Sequence, residues 1–302
     1  MLSYLQLNPN VKAQMLNKNY IPKSKYRFLK IIKYISISSF CLVIFLSGCG
    51  DLFEKVTEIG NGIDKDTVWD KAHSPYFLRG DIVIPVKTTL TIEPGVKVTF
   101  SGNNKLKVEG TLIAQGTSLD PIWFRQAGRY YVSGYYGLVF TNKQAQAQSK
   151  LSNCIITQAR FAVYCDGDSP QISYCTITGN NVGVHLWNSN AVISNNRISG
   201  NIENGLYIGS MQPSIINNLI TDNGRGIVCA YAPNPVIQKN DIFGNQEYEF
   251  YISKTESDII AADNYWGVTD EPTVRQKIYD KAKDGSLGNV SITPIALKPF
   301  YQ

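Results

Sequence analysis

The chain has 302 residues, 43% of them apolar and 18% charged, enough for one large domain or two smaller ones. Its formal charge of +5 is unevenly placed. Residues 1–48 carry seven bases (Lys12, Lys18, Lys23, Lys25, Arg27, Lys30, Lys33) and no acid, leaving 22 bases against 24 acids elsewhere. A body that close to neutral excludes the basic footprint of a nucleic-acid-binding domain.

In chain order, the first element is a leader. The basic stretch ends at Lys33, an apolar run from Tyr34 to Phe45 follows, and Leu46-Ser47-Gly48-Cys49 closes it. Basic, apolar, then small residues is the order of a secretory signal. The apolar run is too short for a span of about 20 residues. Met15 lies nearer the basic cluster and is the expected start. Leu-Ser-Gly-Cys resembles the lipobox of bacterial lipoproteins. That resemblance implies cleavage after residue 48, lipid on Cys49, and membrane anchoring of the mature chain in the cell envelope. Gly50 rather than Asp after the cysteine points to the outer membrane if the cell is Gram-negative, with the domain periplasmic or surface-exposed. Residues 49–66 then read as a tether.

From residue 67 to 300 the composition is rich in Ile, Val, Thr, Asn, Gly and Tyr, which favours strands broken by turns. Over residues 82–140, Ile84, Leu90, Ile92, Val96, Val98, Phe100, Leu106, Val108, Leu112, Ile122, Phe124, Leu138 and Phe140 alternate as in half-buried strands. Residues 125–150 read as polar and aromatic loops.

A repeat of about 22 residues then takes over: LSNCIITQA (151–159), ISYCTITGN (172–180), ISNNRISGN (193–201), IINNLITDN (215–223), VIQKNDIFGN (236–245) and a degenerate AADNYWG (261–267). One column reads Cys154, Cys175, Asn196, Asn218, Asn240, Asn264. Two residues later come Ile156, Ile177, Ile198, Ile220, Ile242 and Trp266; five residues later come Ala159, Asn180, Asn201, Asn223 and Asn245. A further strand follows in each unit: AVYC (162–165), GVHL (183–186), GLYI (205–208), GIVC (226–229) and EFYI (249–252).

No such unit can bury its apolar side alone, but stacking Ile on Ile and Asn on Asn makes a continuous interior. Strands of successive coils then lie about 4.8 Å apart. Asn suits the turns because it tolerates left-handed geometry, and its amide can bond to the amide of the next coil. Leucine-rich repeats lack their Leu consensus here, and propeller blades need about 40 residues each. The expected fold is all-β: a single-stranded parallel β-helix. Near its end, residues 273–283 read as a short amphipathic helix, with Val274 and Ile278 one turn apart, capping the open strand edges.

These repeats resemble the right-handed parallel β-helix repeats of the pectin-lyase-like superfamily. LTIEPGVKVTFSGNNKLKVEGTLIAQGTSLDPIWF (90–124) is similar to the opening coils of such proteins, and DNYWG (263–267) with VSITPI (290–295) to their closing segment. The resemblance implies a right-handed coil and a link to polysaccharides. It does not carry the family's catalysis over residue by residue. The acid cluster and base Arg of pectate lyases are missing, since Arg160, Arg197 and Arg225 sit near other turns. The Asp set of polygalacturonases and the Asp-Pro-His-Asp signature of alginate epimerases are also absent.

Cys154 and Cys175 share a column in adjacent coils, close enough for a disulfide; two stacked buried thiols in place of the asparagine ladder are the preferred reading. No Cys/His spacing suggests a metal site.

In the GVHL-type strands the third residue points outwards if the second and fourth point in. It reads Tyr164, His185, Tyr207, Val228, Tyr251, and two residues on lie Asp166, Trp187, Gly209, Ala230, Ser253. This predicts an exposed aromatic strip of Tyr164, His185, Trp187, Tyr207 and Tyr251, along which a linear polysaccharide could stack. Asp166, Asp168 and His185 are the best available acid–base set for the alternative, a polysaccharide lyase or glycoside hydrolase. A third reading is a non-catalytic structural or adhesive scaffold. Asp166-Gly167-Asp168 supplies only two carboxylates, few for Ca²⁺, which takes about 6–8 oxygens. A polar turn therefore comes first, calcium second, and no cofactor is required. A monomer without a nucleic-acid partner is expected.

Overall fold

Most strands of the repeat are only three residues long, with one apolar side chain turned in, and they become stable by lying on the same strand of the next coil. The computed structural model describes residues 56–60, 62–127, 134–141 and 148–301. The leader, Met15, Cys49, residues 50–55 and parts of the 125–150 loops lie outside the described residues.

Among the described residues the strands form three long parallel sheets of nine, eight and nine strands. Each coil of the repeat contributes one strand to each. In the first sheet Ile177 pairs with Ile198, Ile198 with Ile220 and Ile220 with Ile242. In the second, Leu151, Ile172, Ile193, Ile215 and Ile237 stack in register. In the third, Val163, Val184, Leu206, Ile227 and Phe250 do the same. All of these side chains are buried in one continuous core. A buried Ile contributes about 1.5–3 kcal/mol, so several per coil help hold a unit whose strand hydrogen bonds run to its neighbours rather than within itself.

The corners are fixed by two asparagine columns. Asn196 donates its side-chain amide to Asn218 Oδ1 at 3.0 Å, Asn218 to Asn240 at 2.9 Å, and Asn240 to Asn264 at 2.9 Å. The second column runs Asn180 to Asn201 to Asn223 to Asn245, at 3.0, 2.8 and 3.0 Å. Each oxygen also accepts a backbone N–H from the neighbouring coil, as in Asn196 N–H to Asn218 Oδ1 at 2.9 Å. All are buried, where unmet polar groups would be costly.

The left-handed residue is not the ladder asparagine, as the sequence suggested, but the one before it. Asn153, Tyr174, Asn195, Asn217, Lys239 and Asp263 have φ between 47° and 57°. The backbone turns there so that the next side chain can point inward. Gly205 follows the second column because a Cβ there would lie 2.9 Å from the Asn223 amide nitrogen.

The ends differ from the sequence reading in two respects. Thr57–Ile59, inside the stretch assigned to a tether, is already a strand and pairs with Tyr76–Leu78. Its alternation is too short to be visible without its partner. The C-terminal helix spans only Glu271–Gln276, with Asp270 as N-cap accepting the Thr273 N–H at 3.0 Å. The N–H of Lys277 turns back to the Val274 carbonyl, and Ile278–Tyr279 becomes a strand on Phe250–Tyr251. Ile278 is thus buried as expected, but through a sheet rather than a helix face.

Closure comes from polar groups. Ile259–Ile260 pairs with Val290–Ser291. The buried Asp280 carboxylate accepts the Val290 N–H at 3.1 Å and faces Arg275 at 3.3 Å. Asp241 accepts the N–H groups of Phe300 and Tyr301 at 2.9 and 3.0 Å, fastening the last residues to the stack.

Of the two arrangements open for Cys154 and Cys175, the structure has free, buried thiols. The Cys154 N–H reaches Cys175 Sγ at 3.5 Å, and the two thiols donate to the carbonyls of Ala114 and Ser173 at 3.4 and 3.3 Å.

Candidate functional site

The outward column of the third sheet is set by register. Val139, Tyr164, His185, Tyr207, Val228, Tyr251 and Tyr279 follow one another on successive strands. Inward neighbours on either side hold each of these strands, so the outward side chains have nowhere to go but onto one another.

They stack. The rings of Tyr164 and His185 are 4.9 Å apart and 24° from parallel; those of His185 and Tyr207 are 4.5 Å and 14°. Val228 then interrupts the aromatics, and a second stack joins Tyr251 to Tyr279 at 4.5 Å and 17°. The strip foreseen as open ring faces is therefore two columns of rings whose faces lie against each other and whose rims face outward. Sequence reasoning missed Tyr279. Its distance from Tyr251 is 28 residues rather than about 22, because the helix is inserted before it. Phe161, Tyr136 and Tyr248 flank the columns in tilted or edge contacts.

His185 is the group most changed by this setting. Its ring lies between two tyrosines with Phe161 edge-on at 5.4 Å. Burial pushes its pKa down to about 4, because an imidazolium there would lose its hydration. It is neutral at physiological pH and unsuited to act as a proton donor. Burial also raises the hydroxyls of Tyr164 and Tyr207, with the Asp166 charge adding to the first; both stay protonated.

The acid–base set does not assemble. Asp166 is half-buried on the outward side, opposite Trp187 in register. Asp168, expected beside it, is buried instead, and its Oδ1 accepts the Ser169 N–H at 2.6 Å. The Gly167 turn, with φ of 85°, carries the chain around the corner and takes the second carboxylate inside. Asp166 is thus the one carboxylate of the three candidates on the outward face. Among the described residues no group of three or more His, Cys, Asp or Glu side chains is arranged to hold a metal ion.

Trp187 behaves differently from the column. The next coil has Gly209 at the equivalent position, and a Cβ there would fall 2.2 Å from the indole. The ring has toppled into the space left by the missing side chain. Tyr231 meets it edge-on at 5.1 Å and 81°. Two arginines border the face: Arg160 lies over Tyr136 and Phe161, while Arg225 lies 4.7 Å from the Tyr251 centroid and pairs with Glu247 at 2.7 Å.

Comparison with known proteins agrees with this architecture. Residues 161–267 match the family model described as right handed beta helix region. Over 62 residues, 20% of the chain, the sequence is 42% identical to the protein bark beetle of Drosophila melanogaster, and the matched stretch is 2% of that protein's length. No solved structure matches the chain. The match and the coil register together show a right-handed parallel β-helix repeat protein.

Proposed function

We propose that this chain is an exported protein, lipid-anchored at Cys49, whose β-helix binds a polysaccharide along the outward face of the third sheet without cleaving it. The observation that supports this best is the run of aromatic side chains repeated at one position of consecutive coils: Tyr164, His185 and Tyr207, then Tyr251 and Tyr279. Repetition at the coil spacing offers a periodic ligand the same contact many times. The rims and hydroxyls of these rings, with Trp187 beside them, form an amphipathic track suited to sugar C–H and O–H groups. Catalysis is not part of the reading, because Asp168 is buried and His185 is a poor base with its pKa pushed down to about 4.

A scaffold role is the second reading, and one observation favours it: both faces of the His185 ring are covered by Tyr164 and Tyr207. A glycan array probed with the full chain separates the two. Binding to a defined glycan supports the first, and an array without signal supports the scaffold. Metabolic labelling with a fatty acid, lost in Cys49→Ala, tests the anchor, and release of reducing or unsaturated sugars from polyuronates would favour an enzyme instead.

A further inference from the structure

We propose that Trp187 and Tyr231 form the floor and side wall of a subsite for one neutral pyranose residue, with the glycan continuing into the groove beyond Tyr231. The inference rests on the glycan-binding reading and says where the face-on contact is made and with what class of sugar.

In the column, ring faces are turned to one another. Trp187 instead has no ring partner in the next coil, and its Cε3 and Cζ3 atoms occupy the place that a side chain at Gly209 would take. The ring is half-buried, so part of the indole remains accessible. An indole that is not stacked on the next coil can offer its ring to the C–H side of a pyranose, as the mutually stacked rings of Tyr164, His185 and Tyr207 cannot. Tyr231 stands nearly perpendicular to it and limits where a ring on the indole can sit.

Tyr231 is held there at a cost. Both it and Ala232 have φ of 59°, two consecutive non-glycine residues in the left-handed region, which L residues avoid. Lys254 steadies the ring, with Nζ 3.2 Å from the phenol oxygen and 5.6 Å from the ring centroid. Tyr231 also lines a groove with Lys254, Thr255, Glu256, Ser257 and Ser286. These residues offer donors and acceptors for hydroxyls.

The charges select a neutral sugar. The groove lining carries one charge of each sign, Lys254 and Glu256, and the ammonium already faces Tyr231. Asp166, beside Trp187 in register, would repel the carboxylate of a uronic acid.

The test is affinity electrophoresis of the full chain through gels holding a neutral β-glucan, a neutral mannan or polygalacturonate, with Trp187→Ala, Tyr231→Ala and Tyr251→Ala in parallel. Each variant is checked for an unchanged thermal midpoint, and Trp187→Phe serves if the alanine variant does not fold. The expected result is retardation by a neutral gel, weakened at least tenfold by Trp187→Ala and Tyr231→Ala and less by Tyr251→Ala. Retardation by polygalacturonate alone, or a Trp187 variant that binds like the parent, overturns this inference and leaves the glycan reading standing. No retardation by any gel overturns both.

Discussion

Asn245 is the last asparagine of its column, and its side-chain amide donates to the carboxylate of Glu249, four residues along the same coil, instead of to another asparagine. The Asn245 backbone N–H reaches the same oxygen at 3.2 Å. The next coil, 24 residues on as from Asn240 to Asn264, places Thr269 at the equivalent position rather than another asparagine. Glu249 supplies the missing oxygen, and Lys277 closes over it with its ammonium on the carbonyls of Asn245, Gln246 and Glu247 at 3.2, 3.0 and 3.4 Å.

Removing that oxygen should loosen the end of the stack. Glu249→Ala leaves two buried donors unmet and is expected to cost about 1–3 kcal/mol each in chemical denaturation. Glu249→Gln retains an acceptor and should stay close to the parent. Burial raises the Glu249 pKa, so the folded state favours the protonated acid. Stability from this group is therefore full at low pH and falls as pH rises through the raised folded value. The difference in denaturation midpoint between parent and Glu249→Gln should shift in that sense with pH, and a constant difference would show the carboxylate to be ordinary.

The first asparagine column ends the other way, at Cys175, whose N–H donates to Asn196 Oδ1 at 2.9 Å. Asn218→Ala in mid-column strands both the side-chain amide and the N–H of Asn196 and should cost about 2–4 kcal/mol. Cys175→Asn extends the column by one rung. Equal or greater stability in the same denaturation series is expected; a loss as large as that of Asn218→Ala would mean that the site is shaped for sulfur.

His185 carries a pH signature of its own. With its pKa pushed down to about 4, the folded protein takes up this proton only below the range where the unfolded chain does. Its contribution to stability is full above the unfolded value of about 6.5 and is lost as pH falls towards 4. NMR titration of the imidazole should show a neutral ring down to pH 5, and His185→Phe should remove the acid sensitivity while keeping the stack. A midpoint near 6.5 would place the ring in water.

Much of this architecture is legible in the amino-acid pattern. The inward columns follow from Ile156, Ile177, Ile198, Ile220 and Ile242, because burial demands the same side chain at the same place in every coil. The outward column at Tyr164, His185 and Tyr207 follows from alternation against it. The features that the pattern does not reveal depend on inserted or local geometry. Tyr279 is displaced by the helix, Asp168 is carried inside by one left-handed glycine, and the Trp187 ring fills the space left open by Gly209 in the adjoining coil. The repeat names which residues share a column but not whether their rings meet face to face or turn outward, and that distinction decides where a sugar can stack.

The most direct measurement is calorimetric titration of the full chain with whichever soluble glycan binds on the array, comparing the parent with Tyr207→Ala. Tyr207 lies at the junction of the His185 stack and the coil that carries Gly209. Binding along the third sheet requires at least a tenfold loss of affinity, with the fold intact by circular dichroism. An unchanged affinity in a folded variant would place the glycan elsewhere on the β-helix and contradict the account.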